Sequence, residues 1–371
     1  MRKSAVTSML LPEFTLWQKV KNKRVPLSFD LEITARCNNN CRHCYINIPG
    51  ADKPARDNEL SFEEIKRVAE DAASLGALWC LITGGEPLLR EDFFDVYLYL
   101  KRKGLLVSVF TNATLMTEEH VRFFKKFPPR DIEVSVYGVT QETYEKVTRR
   151  VGSFNAFLHG LNLLLESGIK VRFKAMALRS NFHELPEIAC FCRARTKDYF
   201  RFDPFLHLRL ERDAARNKEI KSERLLPEEI VALERSDPER FQALEKRCNE
   251  LIVPEFSHTI CNHLFHCGAG NSSFTVSYDG LFRLCSPLFH PDCIYDLRKG
   301  NLTDAWYNFV PAVRNMRSDR REFLEQCRRC SLINLCQWCP GHAYLEAGAL
   351  DTPVDYFCRV AHARAEALNP R

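Results

Sequence analysis

The chain has 371 residues, 45% hydrophobic and 27% charged, with a formal net charge of +5. That length and balance suit two or three compact units with a sizeable core. The mild charge, with no Lys/Arg block, argues against nucleic-acid binding, and no stretch nears the ~18 consecutive apolar residues of a membrane span.

Residues 1–11 lack the apolar run of a signal peptide, and the terminal "ALNPR" is no lipidation box, so a cytoplasmic protein is expected. In a reducing compartment, cysteines that cluster are expected to bind metal rather than to pair as disulfides. Of 16 cysteines, eleven fall in two groups, within 37–44 and 261–358. Cys80, Cys190, Cys192, Cys248 and Cys293 read as small buried apolar residues.

From residue 28 strand-like and helix-like segments alternate. "FDLEITA" (29–35) predicts a strand. "SFEEIKRVAEDAASLG" (61–76) predicts a helix with a capping box of Ser61 and Glu64. Its apolar face comprises Ile65, Val68, Ala69, Ala72 and Leu75. Strands follow at 79–83, 105–111, 132–138, 170–178 and 199–208, with helices at 92–104, 117–127, 153–168 and 184–195 between them. Six strands separated by helices predict a parallel α/β sheet. Six units fall short of an eight-stranded barrel, so an open partial (β/α)6 barrel is expected over 28–208, after an N-terminal extension of 1–27. Residues 209–260 are charged and helical in pattern, a connecting segment. From 261 to 371 periodicity fades while Cys, Gly and Pro rise, and bound metal is the expected support for so little apolar core.

Cys37, Cys41 and Cys44 stand as Cys-x3-Cys-x2-Cys after the first strand, at the carboxyl end where α/β folds place their sites. Three thiols suit a cubane iron–sulfur cluster with one iron left open to a small molecule, or a zinc ion with His43 as fourth ligand. "TGGEPLL" (83–89) follows the second strand. Gly84 and Gly85 there permit close backbone approach to a ligand, and Glu86 and Pro87 add an acceptor and a rigid turn. Asn112 lies after the third strand, and Ser135 sits in the fourth as a ligand contact or a satisfied strand hydroxyl. Lys174 in the fifth faces either the barrel or solvent.

The later cysteines read Cys267-x12-Gly280-x4-Cys285, then Cys327-x2-Cys330-x5-Cys336-x2-Cys339, then Cys358, with Cys261 six residues before Cys267. By spacing alone they suit zinc ribbons or iron–sulfur clusters. His263 and His266 are possible substitutes for Cys261.

The cysteine triplet with its downstream Gly-Gly-Glu-Pro resembles the radical S-adenosylmethionine (radical SAM) superfamily over roughly 28–208. The second cysteine group resembles the SPASM domain of radical SAM peptide and protein maturases, apart from an x2 spacing where x3 is commoner. The resemblance implies three [4Fe-4S] clusters and SAM. Cys37, Cys41 and Cys44 would hold the radical SAM cluster; Cys261, Cys267, Cys285 and Cys339 auxiliary cluster I; and Cys327, Cys330, Cys336 and Cys358 auxiliary cluster II. Tyr45 would lie near the adenine, Gly84, Gly85, Glu86 and Pro87 at the amino group of SAM, and Asn112 and Ser135 at its ribose or carboxylate.

The implied activity is reductive cleavage of SAM to a 5′-deoxyadenosyl radical, hydrogen abstraction from a peptide or protein side chain, and oxidative modification of the ribosomal-peptide (RiPP) type. No catalytic acid or base is identified by spacing. With eight thiols for two auxiliary clusters no iron is left open, which favours electron transfer there over substrate coordination. Implied partners are the peptide or protein substrate and a low-potential electron donor such as flavodoxin or ferredoxin. The 36 residues before Cys37 are too few for a fused leader-binding winged helix, so a separate leader-recognition protein or the SPASM surface would do that work. The alternatives are a formylglycine maturase of the anaerobic sulfatase type, a radical dehydrogenase of small molecules such as sugar alcohols, and a non-enzymatic iron–sulfur or zinc protein.

Overall fold

Period-two alternation builds the central sheet. In β1 (Ser28–Thr34) the side chains of Phe29, Leu31 and Ile33 are buried on one face, and Asp30, Glu32 and Thr34 take the other. The computed structural model describes residues 20, 23–198, 200–251 and 261–368. Parallel to β1 run β2 (Trp79–Gly84), β3 (Leu106–Thr111), β4 (Asp131–Ser135), β5 (Val171–Met176) and β6 (Arg201–Asp203), each paired with the one before. The α/β partial barrel expected from the sequence is therefore present. β6 is only three residues long, because Pro204 cannot continue the ladder and Asp203 turns the chain by accepting from the Phe205 N–H at 3.1 Å.

Helices cover the apolar side of the sheet. In α1 (Phe62–Ser74) the capping box of Ser61 and Glu64 is formed, and Ile65, Val68, Ala69 and Ala72 are buried as the periodicity predicts. Burying Ile65 and Val68 contributes about 1.5–3 kcal/mol each. α2 (Phe93–Arg102), α3 (Glu118–Lys126), α5 (Ser153–Glu166) and α6 (Leu185–Arg193) follow. Between α3 and α5 lies α4 (Gln141–Thr148), which the sequence reading passed over. At eight residues it is too short for periodicity to announce. Thr140 caps it, and Tyr144 and Val147 bury its inner face.

Residues 209–251 form α7 (Ala214–Ser222), α8 (Pro227–Arg235) and α9 (Pro238–Leu251). α8 packs on the terminal helix α11 (Asp355–Leu368) through a buried ion pair, Arg364 Nη2 to Glu234 Oε1 at 2.6 Å. The cysteine-rich region contributes β7 (Ser273–Val276), β8 (Leu281–Arg283) and β9 (Ile294–Asp296), followed by α10 (Pro340–Ala347). β7 joins the free edge of β1 in parallel, with Ser28 opposite Ser273 and Leu31 opposite Val276. The result is one nine-stranded sheet, ordered β9-β8-β7-β1-β2-β3-β4-β5-β6. Between β7 and β1, residues far apart in the chain are joined by hydrogen bonds across the expected boundary at 261.

Cys80, Cys192 and Cys293 are buried as expected, whereas Cys190 is exposed. Ile188 and Cys192, four apart, mark the inner face of α6, and a residue midway between them must point outward. The expectation for Cys248 lies outside the described side chains.

Candidate active site

The cysteine loop leaves the end of β1, and its backbone is held from three directions. Asn40 N–H and Arg42 N–H donate to the carbonyls of Thr148 and Val147 at 2.9 and 3.0 Å. These are orphan carbonyls at the C-terminus of α4, which a helix end must satisfy externally. Arg216 donates to the Cys41 carbonyl at 2.9 Å, and Arg209 to the Asn47 carbonyl at 3.1 Å. So the short helix missed in the sequence is one of the clamps on this loop.

Inside the loop and beneath the carboxyl ends of the strands lies a cavity of about 300 Å³ lined by Cys37, Cys41 and Cys44 together. The three thiols are within electrostatic reach of one another, and burial, reinforced by neighbouring charges, pushes Cys37 up to about 12 and Cys41 upward as well. Asn112 Nδ2 donates to Asn38 Oδ1 at 2.9 Å and lies 3.8 Å from Cys37 Sγ.

Gly84 and Gly85 line the same cavity, but their lack of a side chain serves the protein first. A Cβ on Gly84 would meet the Thr34 carbonyl oxygen at 2.0 Å, and one on Gly85 the Arg36 carbonyl oxygen at 2.2 Å. Gly85 N–H instead donates to Thr34 O at 2.7 Å and Glu86 N–H to Arg36 O at 2.9 Å. The glycines thus let β2 press against the root of the cysteine loop. Gly85→Ala is expected to cost about 1–3 kcal/mol through backbone overlap and to lower iron incorporation at the first site. Thermal denaturation and iron analysis check both.

Glu86 and Pro87 stand behind the wall rather than on it. Glu86 is fully buried and accepts from Leu88 N–H at 3.2 Å, Thr111 Oγ1 at 2.8 Å and Asn112 N–H at 2.8 Å. Burial raises its carboxyl to about 7 against those donors. Its side chain ties β2 to β3 and seats Asn112. Pro87 opens the short turn Pro87–Leu89. Ser135 and Tyr45 line the cavity, and the Tyr45 hydroxyl lies 3.1 Å from Ser286 Oγ.

The structure adds residues that sequence reasoning missed or left open. His43 lines the cavity beside the thiols; burial lowers it to about 4, so its imidazole is neutral. Lys174 faces inward and lines the cavity with Asp30 and Asp203. Burial, with the charge of Glu32 beside it, raises Asp30 to about 6. His207 also lines it, and its Nδ1 lies 2.7 Å from Nε2 of His342. The available signal was parity: Asp30 and Glu32, Arg172 and Lys174, and Arg201 and Asp203 alternate with apolar residues in β1, β5 and β6.

In the C-terminal region Cys285 lies within electrostatic reach of Cys267 and Cys339. Cys336 lies within reach of Cys327, Cys330 and Cys358. Burial first, then neighbouring thiols, push Cys327 and Cys336 up to about 11. Cys261 is exposed, its Sγ 2.9 Å from His263 Nδ1 and within reach of Arg328. All-thiol sets of this kind suit thiophilic metals, whose binding displaces the thiol protons. Among the described residues no three His, Cys, Asp or Glu side chains gather as a single metal ion requires.

The cysteine loop of a partial parallel barrel here forms one wall of a partly open cavity at the strand ends. Residues 31–192 match the family described as the radical SAM superfamily. That segment, which includes the cysteine triplet and the Gly-Gly-Glu-Pro turn, is a radical SAM segment. The chain is 34% identical over 181 residues to Fe-coproporphyrin III synthase of Methanosarcina barkeri, a match covering 49% of this chain and 44% of that protein. It is 27% identical over 327 residues to AlbA of Bacillus subtilis, the antilisterial bacteriocin subtilosin biosynthesis protein, covering 85% of this chain and 67% of AlbA. The chain thus spans less than half the length of the first relative. In fold it is similar to Streptococcus suis SuiB bound to precursor peptide SuiA, with a TM-score of 0.69 at 17% identity, over 96% of this chain and 83% of SuiB. No helix among the described residues is long and apolar enough to cross a membrane.

Proposed function

We propose that the chain is a radical SAM enzyme that modifies a peptide or protein side chain oxidatively, as in RiPP maturation. The observation that carries this reading is the partly open cavity lined by Cys37, Cys41 and Cys44 with Gly84, Gly85 and Asn112. Three thiols and no fourth cysteine in the wall suit a [4Fe-4S] cluster with one iron open to SAM. When bound, cluster and SAM supply a 5′-deoxyadenosyl radical by one-electron reduction. The protein's own residues do the rest. Asn112 and Ser135 offer polar contacts to SAM, Tyr45 closes the wall, and the buried strand ends keep water from the reacting atoms.

The peptide assignment is supported by AlbA, whose match covers 85% of this chain and so extends well beyond the barrel. The porphyrin-related relative matches about half of this chain. We read Cys267, Cys285 and Cys339, with Cys261, as one auxiliary cluster site and Cys327, Cys330, Cys336 and Cys358 as the other, in a SPASM domain over 261–371. Anaerobically reconstituted protein reduced with dithionite is expected to form 5′-deoxyadenosine from SAM. Its failure to do so would sink the radical reading. Co-expression with short peptides encoded beside its gene is expected to give products lacking two hydrogens per bond formed, read by mass spectrometry. Unchanged peptides alongside normal SAM cleavage would remove the peptide assignment only.

A further inference from the structure

The cavity has two sides. Cys37, Cys41, Cys44, Gly84, Gly85 and Asn112, assigned above to cluster and SAM, come from β1, β2 and β3 and the loops that follow them. The other side is built from Lys174 on β5, Asp203 on β6 and His207 in the chain leaving β6. Ser135, opposite Lys174 in the register of β4 and β5, stands between the two. Most charged groups on the second side are already engaged. Arg172 pairs with Asp131 at 3.9 Å, and Arg201, the residue opposite Lys174 on β6, pairs with Glu133 at 3.7 Å. Asp203 accepts from the Phe205 N–H, and His207 meets His342. Of the cavity's other carboxylates, Glu32 is bonded to Arg283, and Asp30 stands on β1 with three strands between. Lys174 makes no hydrogen bond and no ion pair among the described residues; Asp203 and Glu133 lie within electrostatic reach only. Burial lowers its pKa against the pull of those two carboxylates.

Resting on the function proposed above, we propose that Lys174 is a substrate-recognition residue of this cavity and takes a carboxylate of the peptide, from an acidic side chain or from the C-terminus. Lysine ammonium groups are almost never withdrawn from water without a partner. Here the partner arrives with the ligand, as a charge-assisted hydrogen bond that restores what desolvation removed. A neutral amide of the same shape would leave the ammonium unpaired, so the site accepts Glu and rejects Gln. SAM already has Asn112 and Ser135 for its polar groups, which leaves Lys174 to the second occupant of the cavity. Anchoring the substrate there also fixes which of its C–H bonds faces the SAM side.

The test uses the full chain, reconstituted anaerobically with iron and sulfide, with SAM present and no reductant. Short glycine–serine peptides are compared by saturation-transfer NMR: one with a central Glu and both ends capped, one with Gln in its place, and one with Gln and a free C-terminal carboxylate. Wild type is expected to bind at least one of the carboxylate peptides about tenfold more tightly than the neutral one, and which of them is preferred names the source. Lys174→Met is expected to remove that preference. By relieving an unpaired ammonium it should also raise the melting temperature of the holoprotein by about 2 °C. Equal binding of all the peptides by wild type, a preference kept in Lys174→Met, a loss that falls on SAM affinity instead, or a lowered melting temperature would overturn the proposal. Carboxylate preference that depends on Lys174 in a protein that forms no 5′-deoxyadenosine with dithionite would instead remove the proposed function and leave the recognition site standing.

Discussion

Cys37→Ala is expected to abolish SAM cleavage and to remove about a third of the iron, if all three sites are [4Fe-4S] clusters. The reason is local. Cys37 lies at the junction of the cavity wall, Asn112 and the loop root, and no further cysteine lines that cavity to replace it. The thiols around Cys285 and Cys336 belong to other parts of the fold and should load normally. Iron analysis with Mössbauer spectroscopy separates the outcomes. Full iron content, or residual 5′-deoxyadenosine formation near the wild-type rate, would show that the triplet is not the reactive site. Cys285→Ala offers the contrast, since it should lower iron content while leaving uncoupled SAM cleavage in place.

Glu32→Ala is expected to destabilise the protein by about 3–5 kcal/mol, the cost of leaving a buried charge without its partner. Glu32 and Arg283 are 1% and 0% exposed and bond through Oε2 and Nη2 at 2.6 Å. This pair crosses from β1 to β8, joining the barrel to the cysteine-rich region. Arg283 Nη1 also donates to the Ser286 carbonyl at 2.9 Å, beside the Ser286 hydroxyl that meets Tyr45 at the cavity wall. The double substitution Glu32→Leu with Arg283→Met should cost less than Glu32→Ala alone, because no charge remains buried. Denaturant midpoints of the holoprotein check the order, and equal losses in single and double variants would show packing rather than charge to be the determinant.

Much of this was legible beforehand because it is local. Ser61 and Glu64 announce α1 by spacing, and the alternation of Phe29, Leu31 and Ile33 announces β1. Short elements were harder to read. α4 has too few residues to establish a helical period, yet its terminal carbonyls hold Asn40 and Arg42 in the cysteine loop. β6 reads as a longer strand until Pro204 is seen to end its ladder. The Gly84–Gly85 pair was visible, but its reason was not: the nearest obstacle to a side chain there is the backbone of Thr34 and Arg36, which lies on another strand.

The sequence by itself determined the thiol spacing, the strand parity and the separation into a triplet and a later cysteine set, since each depends only on residues near one another in the chain. The tertiary structure alone decided that Asp30, Lys174, Asp203 and His207 share a cavity with that triplet. Parity shows that they differ from their apolar neighbours, but the curvature of the whole sheet selects which face is enclosed. It also decided that β7 extends the barrel sheet beyond β1. Two edges pair wherever their hydrogen-bonding groups would otherwise be left open, and nothing local to either strand names its partner.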